Sequence, residues 1–366
     1  MSAGRIEVFV LSDASTLNPA GGINAPLGTS HVRFGDGRGL ATYAALDLGT
    51  NNCRLLIARP VAGGFRVVDA FSRIVRLGEG LSLTGRLSEP AIARTLEALR
   101  ICRDKMAMRG VTRARTIATE ACRSAANGSD FVDQVREQLG LQLEIVDRET
   151  EARLAAAGVG DLVDKDARSI VMFDIGGGSS EIIWLGVEQR RRRARIVRAW
   201  ESMRLGVVSL AEKFGGVDVT DKTFAAMTAT VADALKPFVD KVADETRCGR
   251  FHLLGTSGTV TTVAGVHLNL PRYDRRAVDG LWLGRKEVDE AVARLRSMSY
   301  AERAANACIG HERADLVLAG CAILEAIRAH FPAERLRIAD RGLREGILSH
   351  LMREDGVGAH RRERRR

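Results

Sequence analysis

The sequence predicts an α/β protein made of two duplicated domains with a cleft between them. A chain of 366 residues is too long for one typical hydrophobic core and suits two. Short apolar strands alternate with helical segments along most of the chain, which is typical of an α/β fold. The order strand, aspartate, glycine-rich turn, strand occurs twice, at Asp47 and at Asp174, and this repetition indicates an internal duplication.

The first half begins with three short strands separated by tight turns, which predicts a β-meander. A helix is then expected from Glu89 to Met108, because Ser88 is a favourable N-cap and Pro90 suits the first helical turn. The strands are expected at 42–47, 53–59 and 65–71, and after this helix come strand 115–119, helix 130–139, strand 143–146 and helix 149–158.

The second half repeats the pattern of three strands followed by alternating helices and strands. Strands are expected at 169–174, 181–187, 196–201, 251–254 and 336–339, with helices at 222–244, 285–298, 313–330 and 343–352. The expected divisions are a disordered extension at 1–40, domain I at 41–155, domain II at 156–342, a C-terminal helix at 343–355 that packs back on domain I, and a basic tail at 356–366.

The composition is that of an ordinary globular protein, with 45% hydrophobic and 28% charged residues. We expect a cytoplasmic protein, because no segment resembles a signal peptide or the roughly 20 apolar residues of a membrane span. The six cysteines are scattered, which argues against a zinc site or a disulfide framework. The net charge of +9 would attract a polyanion, but the arginine runs 190–195 and 361–366 are more typical of a solvated tip and tail.

The first turn after a strand has the residues of a phosphate site. Asp47 ends the strand, and Gly49, Thr50 and Asn51 follow it. In such a turn, backbone N–H groups can hold phosphate oxygens while the aspartate holds a cation or its water shell. An ordinary hairpin turn often has the same residues, so this motif alone does not establish a function.

The corresponding turn of the second half contains three consecutive glycines, Gly176, Gly177 and Gly178, followed by Ser179. Glycines lose more conformational entropy on folding than other residues, so the run indicates that the backbone must approach something closely. A row of free N–H groups also suits an anion. Because apolar strands flank the run tightly, a binding function is favoured over a flexible linker.

Acidic residues stand where they could serve chemistry. Asp174 and Glu181 lie at the facing ends of the two strands that flank the glycine run, so both carboxylates could face one divalent ion. Glu149 and Glu151 open the helix expected at 149–158. Acidic residues in a first helical turn usually complement the helix dipole, and this interpretation suffices for Glu149.

Two further motifs are weaker when taken alone. Gly255, Ser257 and Gly258 form a third glycine-rich turn, between a strand and a helix start, where a phosphate could bind. A plain capped turn explains these residues equally well. Arg123 follows a strand and could grip a phosphate with its planar guanidinium, although a surface ion pair is the commoner outcome for a single arginine.

Taken together, the chain resembles the exopolyphosphatase and guanosine pentaphosphate phosphohydrolase family over residues 42–352. This family belongs to the superfamily of actin, sugar kinases and heat-shock chaperones. The resemblance therefore implies duplicated actin-like ATPase domains of the ribonuclease H-like type, with an interdomain cleft. It rests on eight segments in family order: ALDLGTNNCRLLIA, ATEACRSAAN, ETEARLAAAGV, FDIGGGSSEI, RLGVVSLAEKF, LGTSGTV, ERADLVLAG and ADRGLREGIL.

The resemblance also implies roles for individual residues. Glu151 matches the catalytic base of the family, and Arg123 matches its phosphate-binding arginine. Asp174 and Glu181 match the acids that position the metal and the water, and Arg313 is a weaker candidate for the cleft. The phosphate loops are matched by Asp47, Thr50 and Asn51, by Gly176 to Ser179, and by Ser257 and Gly258.

The implied function is Mg²⁺-dependent hydrolysis of the terminal phosphate of inorganic polyphosphate. Guanosine pentaphosphate hydrolysis is the nearest alternative. A sugar-kinase-like or chaperone-type ATPase and a non-enzymatic polyphosphate or nucleotide sensor are more remote. The chain departs from many family members in having Thr150 before Glu151, which leaves Glu151 itself in place. It contains no His-Asp dipeptide, and the C-terminal helical domain of long members is not expected, which favours polyphosphate slightly. We expect no membrane and no specific nucleic acid as partner, and a homodimer is plausible for the family.

Overall fold

A computed structural model describes residues 32–33, 41–164, 166–188, 194–246 and 251–357. Three features predicted from the sequence lie wholly or largely outside these residues: the disordered extension at 1–40, the arginine run at 190–195 and the basic tail at 356–366. Within the described part of the chain, no helix combines the length and apolarity required to cross a bilayer.

The N-terminal half forms a mixed sheet of six strands. Its strands are β1 (Val32–Arg33), β2 (Tyr43–Leu48), β3 (Asn52–Val61), β4 (Gly64–Ile74), β5 (Arg113–Ala118) and β6 (Glu144–Ile145). The strand order across the sheet is β4-β3-β2-β5-β6. The strand β6 pairs with the C-terminal end of β5, and β1 pairs with the N-terminal end of β5. The first three long strands are antiparallel neighbours, whereas β5 runs parallel to β2.

The C-terminal half forms a second sheet with the same arrangement. Its strands are β7 (Ser169–Ile175), β8 (Ser180–Glu188), β9 (Ala194–Met203), β10 (Phe251–Thr256), β11 (Trp282–Gly284) and β12 (Arg335–Ala339). The order is β9-β8-β7-β10-β12-β11, with β10 parallel to β7 and β8 antiparallel to it.

If the short edge strands β1 and β11 are left out, both sheets have the strand order 3-2-1-4-5, with the second strand antiparallel to the other four. This is the order of a ribonuclease H-like domain, and its occurrence in both halves confirms the predicted duplication and the actin-like fold class. Parallel β2 and β5, like parallel β7 and β10, end at the same edge of their sheets. The glycine-rich turns that follow β2, β7 and β10 are thus brought to the ends of the sheets, where ligands bind in open α/β folds.

The helices cover the faces of the two sheets. They are α1 (Leu81–Thr84), α2 (Glu89–Met108), α3 (Glu120–Ser124), α4 (Gly128–Leu139), α5 (Arg148–Gly158), α6 (Val207–Phe214), α7 (Asp221–Lys241), α8 (Ala243–Thr246), α9 (Gly258–His267), α10 (Arg275–Val278), α11 (Arg285–Ser297), α12 (Tyr300–Ala305), α13 (Val317–His330) and α14 (Leu343–Glu354). The cap predicted for α2 is present, since the Ser88 side chain accepts a hydrogen bond from Ala91 N.

One predicted helix boundary is wrong. The helix expected from Arg313 begins at Val317, because His311–Arg313 forms a short 3-10 turn. This turn frees the Arg313 side chain from the helix and leaves it facing the space between the two sheets. Short α6 after Gly206 was not predicted separately, because its eight residues follow directly on a strand.

Helices α5 and α14 pack so closely that their backbones touch, and we call this contact the base. Helix α14 packs on α5 and on the sheet of the N-terminal half, with Ile347, Leu348 and Leu351 in a shared apolar cluster. A Cβ atom at Gly158 would lie 1.8 Å from the Gly342 carbonyl oxygen, and one at Gly346 would lie 1.9 Å from the Leu154 carbonyl oxygen. Only glycine permits this approach. The domain limits at 155 and 342 stay a prediction.

Replacing Gly346 by alanine should destabilise the fold, because the added methyl group forces α5 and α14 apart. We expect the free energy of unfolding to fall by about 1–3 kcal/mol, the usual range for overpacking. Urea denaturation measures this loss. The matched control is Ser349→Ala on the same helix, where the side chain is half-buried and a change within about 0.5 kcal/mol is expected. Equal stability of the two variants would contradict the backbone contact.

Candidate active site

A cleft of about 850 Å³ lies between the two sheets. The turns after β2, β7 and β10 line it, together with the start of α5 and the 3-10 turn at His311–Arg313. The structure brings most of the predicted site residues to this wall: Asp47, Gly49, Thr50, Asn51, Glu151, Asp174, Gly176, Gly177, Gly178, Ser179, Glu181, Ser257, Gly258 and Arg313.

The turn after β2 is closed by a hydrogen bond of its own backbone and is buried by the residues around it. Gly49 N donates to the Asn52 carbonyl at 2.9 Å. Thr50 and Asn51 are both 6% exposed. The Asn51 Oδ1 atom is buried and has no hydrogen-bond partner among the described residues. A buried polar atom without a partner is costly, so this amide is poised for a ligand or for water.

The glycine run of the second half lies directly against this turn. A Cβ at Gly177 would be 3.0 Å from Thr50 Cβ, and one at Gly178 would be 2.6 Å from Thr50 Oγ1. The close approach that the three glycines predicted is therefore, in part, an approach to the other domain. On the opposite side, the first amides of α6 dock on the run, with Val208 N donating to the Gly177 carbonyl at 2.8 Å.

The structure does not bring Gly255 to the cleft wall, although the sequence predicted that it binds phosphate. A Cβ at this position would lie 2.7 Å from the ring of Phe173 and 2.7 Å from Val260 Cγ1. Gly255 is therefore required for packing β10 against β7. Two residues further, Ser257 has a left-handed backbone with φ of 79° and donates its hydroxyl to Asp174 Oδ1.

Buried carboxyl groups converge in the cleft. Burial raises the pKa of Asp47, and the nearby arginines Arg54 and Arg344 oppose the rise. Burial also raises the pKa of Asp174, against the hydrogen bond from Ser257. Such groups readily accept a cation, because a nearby positive charge restores their ionised form.

Glu181 is held in place by two hydroxyl groups. Its Oε1 accepts hydrogen bonds from the hydroxyls of Ser179 and Ser202, both at 2.8 Å. Burial raises the pKa of Glu181 to about 7, and the charge of Asp174 adds to the rise. This side chain faces Asp174 across the β7–β8 pair, where the two residues are directly opposite in register.

Glu151 lies in the first turn of α5, which Asp147 caps by accepting a hydrogen bond from Thr150 N at 2.7 Å. Its side chain is 12% exposed and faces the cleft. Burial, followed by the charge of Glu181, raises the pKa of Glu151 well above its usual value, while Arg123 opposes the rise. A carboxyl group with a raised pKa binds an accepted proton more tightly than an exposed one, as a general base requires.

Arg123 does not line the cleft, although the sequence predicted a direct phosphate contact. Its Nη2 donates to Glu151 Oε2 at 3.1 Å and to Glu120 Oε2 at 2.7 Å, so both carboxylates occupy the guanidinium. Glu120 was not predicted, yet it is 5% exposed and also accepts from Arg148. Arg123 therefore holds Glu151 from behind, on the side of a smaller cavity of about 580 Å³.

The sequence reasoning missed the two arginines of the cleft that make no hydrogen bond to another described residue. Arg54 on β3 and Arg344 on α14 line the wall, and neither donates a hydrogen bond to another described residue. Arg313 also faces the cleft, and its Nε and Nη2 donate to the carbonyls of Ile309 and Cys308. Arg54 could have been found from its position two residues beyond the first turn, and Arg344 from the segment ADRGLREGIL.

Comparison with known proteins decides the family. The model of the Ppx/GppA phosphatase family matches residues 56–355. The chain belongs to this family. Exopolyphosphatase 2 of Mycobacterium tuberculosis is 32% identical over 85% of this chain and 99% of its own length. A guanosine-5'-triphosphate,3'-diphosphate pyrophosphatase of Aeromonas hydrophila is 30% identical over 85% of this chain, but the chain spans only 59% of that protein.

Solved structures of Ppx/GppA proteins share the fold. An exopolyphosphatase-like protein that is 28% identical superimposes with a TM-score of 0.77, covering 86% of this chain and 98% of the other. The Aquifex aeolicus member of the Ppx/GppA family is 27% identical, with a TM-score of 0.69 and the same coverage. The resemblance drawn from the eight segments is therefore confirmed.

The acids of this Ppx/GppA cleft fit Mg²⁺ only in company with a substrate. Among the described residues, no group of three or more His, Cys, Asp or Glu side chains is arranged to hold a metal by itself. Magnesium usually takes one or two protein carboxylates and completes its shell with water and phosphate oxygens. The buried carboxyls of Asp174 and Glu181 suit such a shared site, because a cation relieves their mutual repulsion.

The raised pKa of Glu181 predicts a pH-dependent penalty to stability. A carboxyl group whose pKa is higher in the folded than in the unfolded state binds its proton more tightly when the protein is folded. The free energy of unfolding therefore falls as the pH rises from the unfolded-state pKa to the folded-state pKa. In the Glu181→Gln variant this penalty is absent. The stability of the variant relative to the wild type should therefore increase from pH 4.5 to about 7 and level off above.

Urea denaturation across this pH range, without divalent cations, measures the difference. A constant difference between the two proteins from pH 4.5 to 8 would contradict the assignment. Added Mg²⁺ should reduce the penalty in the wild type and leave the variant less affected, since the cation stabilises the ionised carboxylate.

Proposed function

We propose that this protein is an exopolyphosphatase that hydrolyses the terminal phosphoanhydride bond of inorganic polyphosphate and releases orthophosphate. The observation that carries the proposal is the joint presence in one cleft of arginines without carboxylate partners and of a buried carboxyl, Glu151. Phosphoryl transfer requires mainly positioning and charge neutralisation, with one group to orient the nucleophile. The cleft contains residues for each of these tasks.

Binding of the chain end is assigned to cations and backbone amides. Arg54, Arg313 and Arg344 neutralise phosphate oxygens along the cleft, and guanidinium groups suit this because of their planar fork of donors. The N–H groups of the turns at Thr50 and Gly178 hold the oxygens of the terminal phosphate. Asn51 would contribute through a water molecule or the cation, because its unpartnered buried atom Oδ1 is a hydrogen-bond acceptor.

Magnesium, when bound, neutralises the charge that develops on the transferred phosphate. Asp174 and Glu181 would hold this ion, and Asp47 would support its water shell. Ser257, Ser179 and Ser202 fix the orientation of the two metal-facing carboxylates through their hydroxyl hydrogen bonds.

Glu151 acts as the general base. It orients a water molecule in line with the terminal P–O–P bond and takes the proton as the water oxygen attacks phosphorus. The bridging oxygen leaves with the shortened chain. Arg123 and Glu120 hold the carboxylate of Glu151 in place, since Arg123 bonds to both acids. Arg123 is thus a positioning residue in this proposal rather than a phosphate ligand.

Hydrolysis of guanosine pentaphosphate is the second candidate, because relatives of the Aeromonas type carry that activity in their name. The same chemistry serves both substrates, and the nucleoside would need an additional subsite. The wall near Tyr273, Thr261 and Asp340 offers aromatic and polar groups beyond the phosphate turns. A sugar-kinase-like ATPase is disfavoured, since the matching family is one of phosphatases.

Replacement of Glu151 by glutamine should lower kcat by about 10²–10⁴-fold, because the variant cannot accept the proton. The KM for polyphosphate should stay near the wild-type value, since the arginines and glycine turns remain. Steady-state phosphate release measures both constants. The matched control is Glu149→Gln, two residues away on the exposed side of α5 and paired with Arg153, which should keep wild-type turnover. Wild-type turnover in Glu151→Gln would end the assignment.

The substrate preference is tested by phosphate release from long-chain polyphosphate, guanosine pentaphosphate and ATP, each with and without Mg²⁺. We expect the highest kcat/KM for polyphosphate and loss of activity when the metal is chelated. Competition between the substrates shows whether they share one site. A kcat/KM that is highest for guanosine pentaphosphate would favour the second candidate, and one that is highest for ATP would favour a kinase-like enzyme.

A further inference from the structure

The segment between β4 and α2 connects both domains and is not used by the proposed chemistry. We call residues 75–82 the strap. On its own domain it is tied to the first phosphate turn: Val75 N and Arg76 N both donate to the Asn51 carbonyl, at 2.9 and 3.1 Å, and Gly78 N donates to the Thr50 carbonyl at 2.9 Å.

The strap also reaches across to the other domain. The Arg76 guanidinium forms a two-pronged ion pair with Asp315, at 3.0 and 3.1 Å, and its Nη2 donates to the Glu312 carbonyl at 2.9 Å. On the other end of the strap, Gly80 N donates to Glu212 of α6 at 2.8 Å, and the Ser82 hydroxyl donates to the same carboxylate.

Both ends of the bridge are anchored. Arg76 has a left-handed backbone with φ of 47°, a conformation unusual for arginine, which the amide hydrogen bonds of Val75 and Arg76 to the first turn help to hold. On the far side, the buried guanidinium of Arg303 donates to the carbonyls of Ala314 and Val217 and fixes the segment that carries Asp315. The ion pair therefore joins two rigid supports.

The contacts at the two ends of the cleft differ in kind. At the base, α5 and α14 touch through glycines, and those backbones cannot part without breaking the packing. At the strap the contacts are polar, and the side chains of Arg76 and Asp315 are 34% and 24% exposed. Ion pairs of this exposure can separate with little loss, so opening of the cleft would occur at the strap and pivot at the base.

We propose that the Arg76–Asp315 pair, supported by Glu212, is a latch that keeps the two domains closed and thereby positions the first phosphate turn against Arg313. The inference rests on the proposed function for its kinetic consequence. The backbone N–H of Arg76 donates to the Asn51 carbonyl of the first phosphate turn. Its side chain donates to the carbonyl of Glu312, the residue before Arg313. Breaking the latch should therefore lower the fraction of enzyme in which both phosphate-binding elements face the substrate.

The test uses the full-length variant Arg76→Asn, since asparagine tolerates a left-handed backbone and removes the charge. Only the closed fraction binds well, so the KM for polyphosphate should rise about three- to tenfold while kcat stays within about twofold of the wild type. Arg76→Lys should restore part of the affinity, and so should the exchange of Arg76→Asp with Asp315→Arg. The control is Arg109→Asn, which removes an ion pair to Asp69 of comparable exposure inside one domain.

A second measurement needs no substrate. Hydrogen exchange followed by mass spectrometry should show faster exchange at the strap, at α6 and at residues 311–316 in Arg76→Asn, with unchanged protection of α5 and α14. If polyphosphate is not the substrate but the latch exists, this pattern appears all the same. Asp315→Asn should give the same pattern. It replaces Arg76→Asn in this test if Arg76→Asn folds poorly.

Two results would overturn the latch. The first is unchanged exchange at α6 and at residues 311–316 in both variants, because a closing contact must protect the domain it reaches. The second is a loss of kcat with an unchanged KM, which indicates that the substitution reduces the amount of folded enzyme rather than the closed fraction.

Discussion

The site depends on the contact between the glycine run of one domain and Thr50 of the other. A Cβ at Gly178 would lie 2.6 Å from Thr50 Oγ1, and one at Gly177 would crowd Thr50 Cβ at 3.0 Å, so glycines at both positions let the two turns meet closely. This contact sets the distance between Asp47 on one domain and Asp174 on the other, and it brings Glu151 into the same space. The duplicated fold supplies two similar halves, but it is the fit between their turns that makes one site of them.

Without a ligand, the charged groups of the site are in an electrostatically unfavourable arrangement, which a ligand would relieve. Burial raises the pKa values of its carboxyl groups, while Arg54 and Arg344 stand nearby without hydrogen-bond partners among the described residues. Acids that prefer a cation and arginines that prefer an anion lie side by side. A metal–phosphate complex satisfies both sets at once.

Much of the fold was predictable because it depends on local sequence patterns. The two aspartate–glycine turns and the repeated meander predict the duplicated α/β halves that the structure has, and the Ser88 cap predicts the start of α2. The roles of Arg123 and Gly255 were not readable from sequence, since each depends on a neighbour far along the chain. Glu120 and Glu151 occupy the guanidinium of Arg123, and the ring of Phe173 fills the space beside Gly255.

The groups to which we assign the chemistry lie at strand ends, in turns and at helix starts, whereas the middle of each strand contributes apolar packing. The sheets can therefore exchange one aliphatic residue for another of similar volume without disturbing a single functional atom. Divergence of more than two-thirds of the residues is therefore compatible with a TM-score of 0.77 to a solved relative. The chemistry of this fold is concentrated in a few side chains at the strand ends, and most of the remaining sequence serves the packing that positions them.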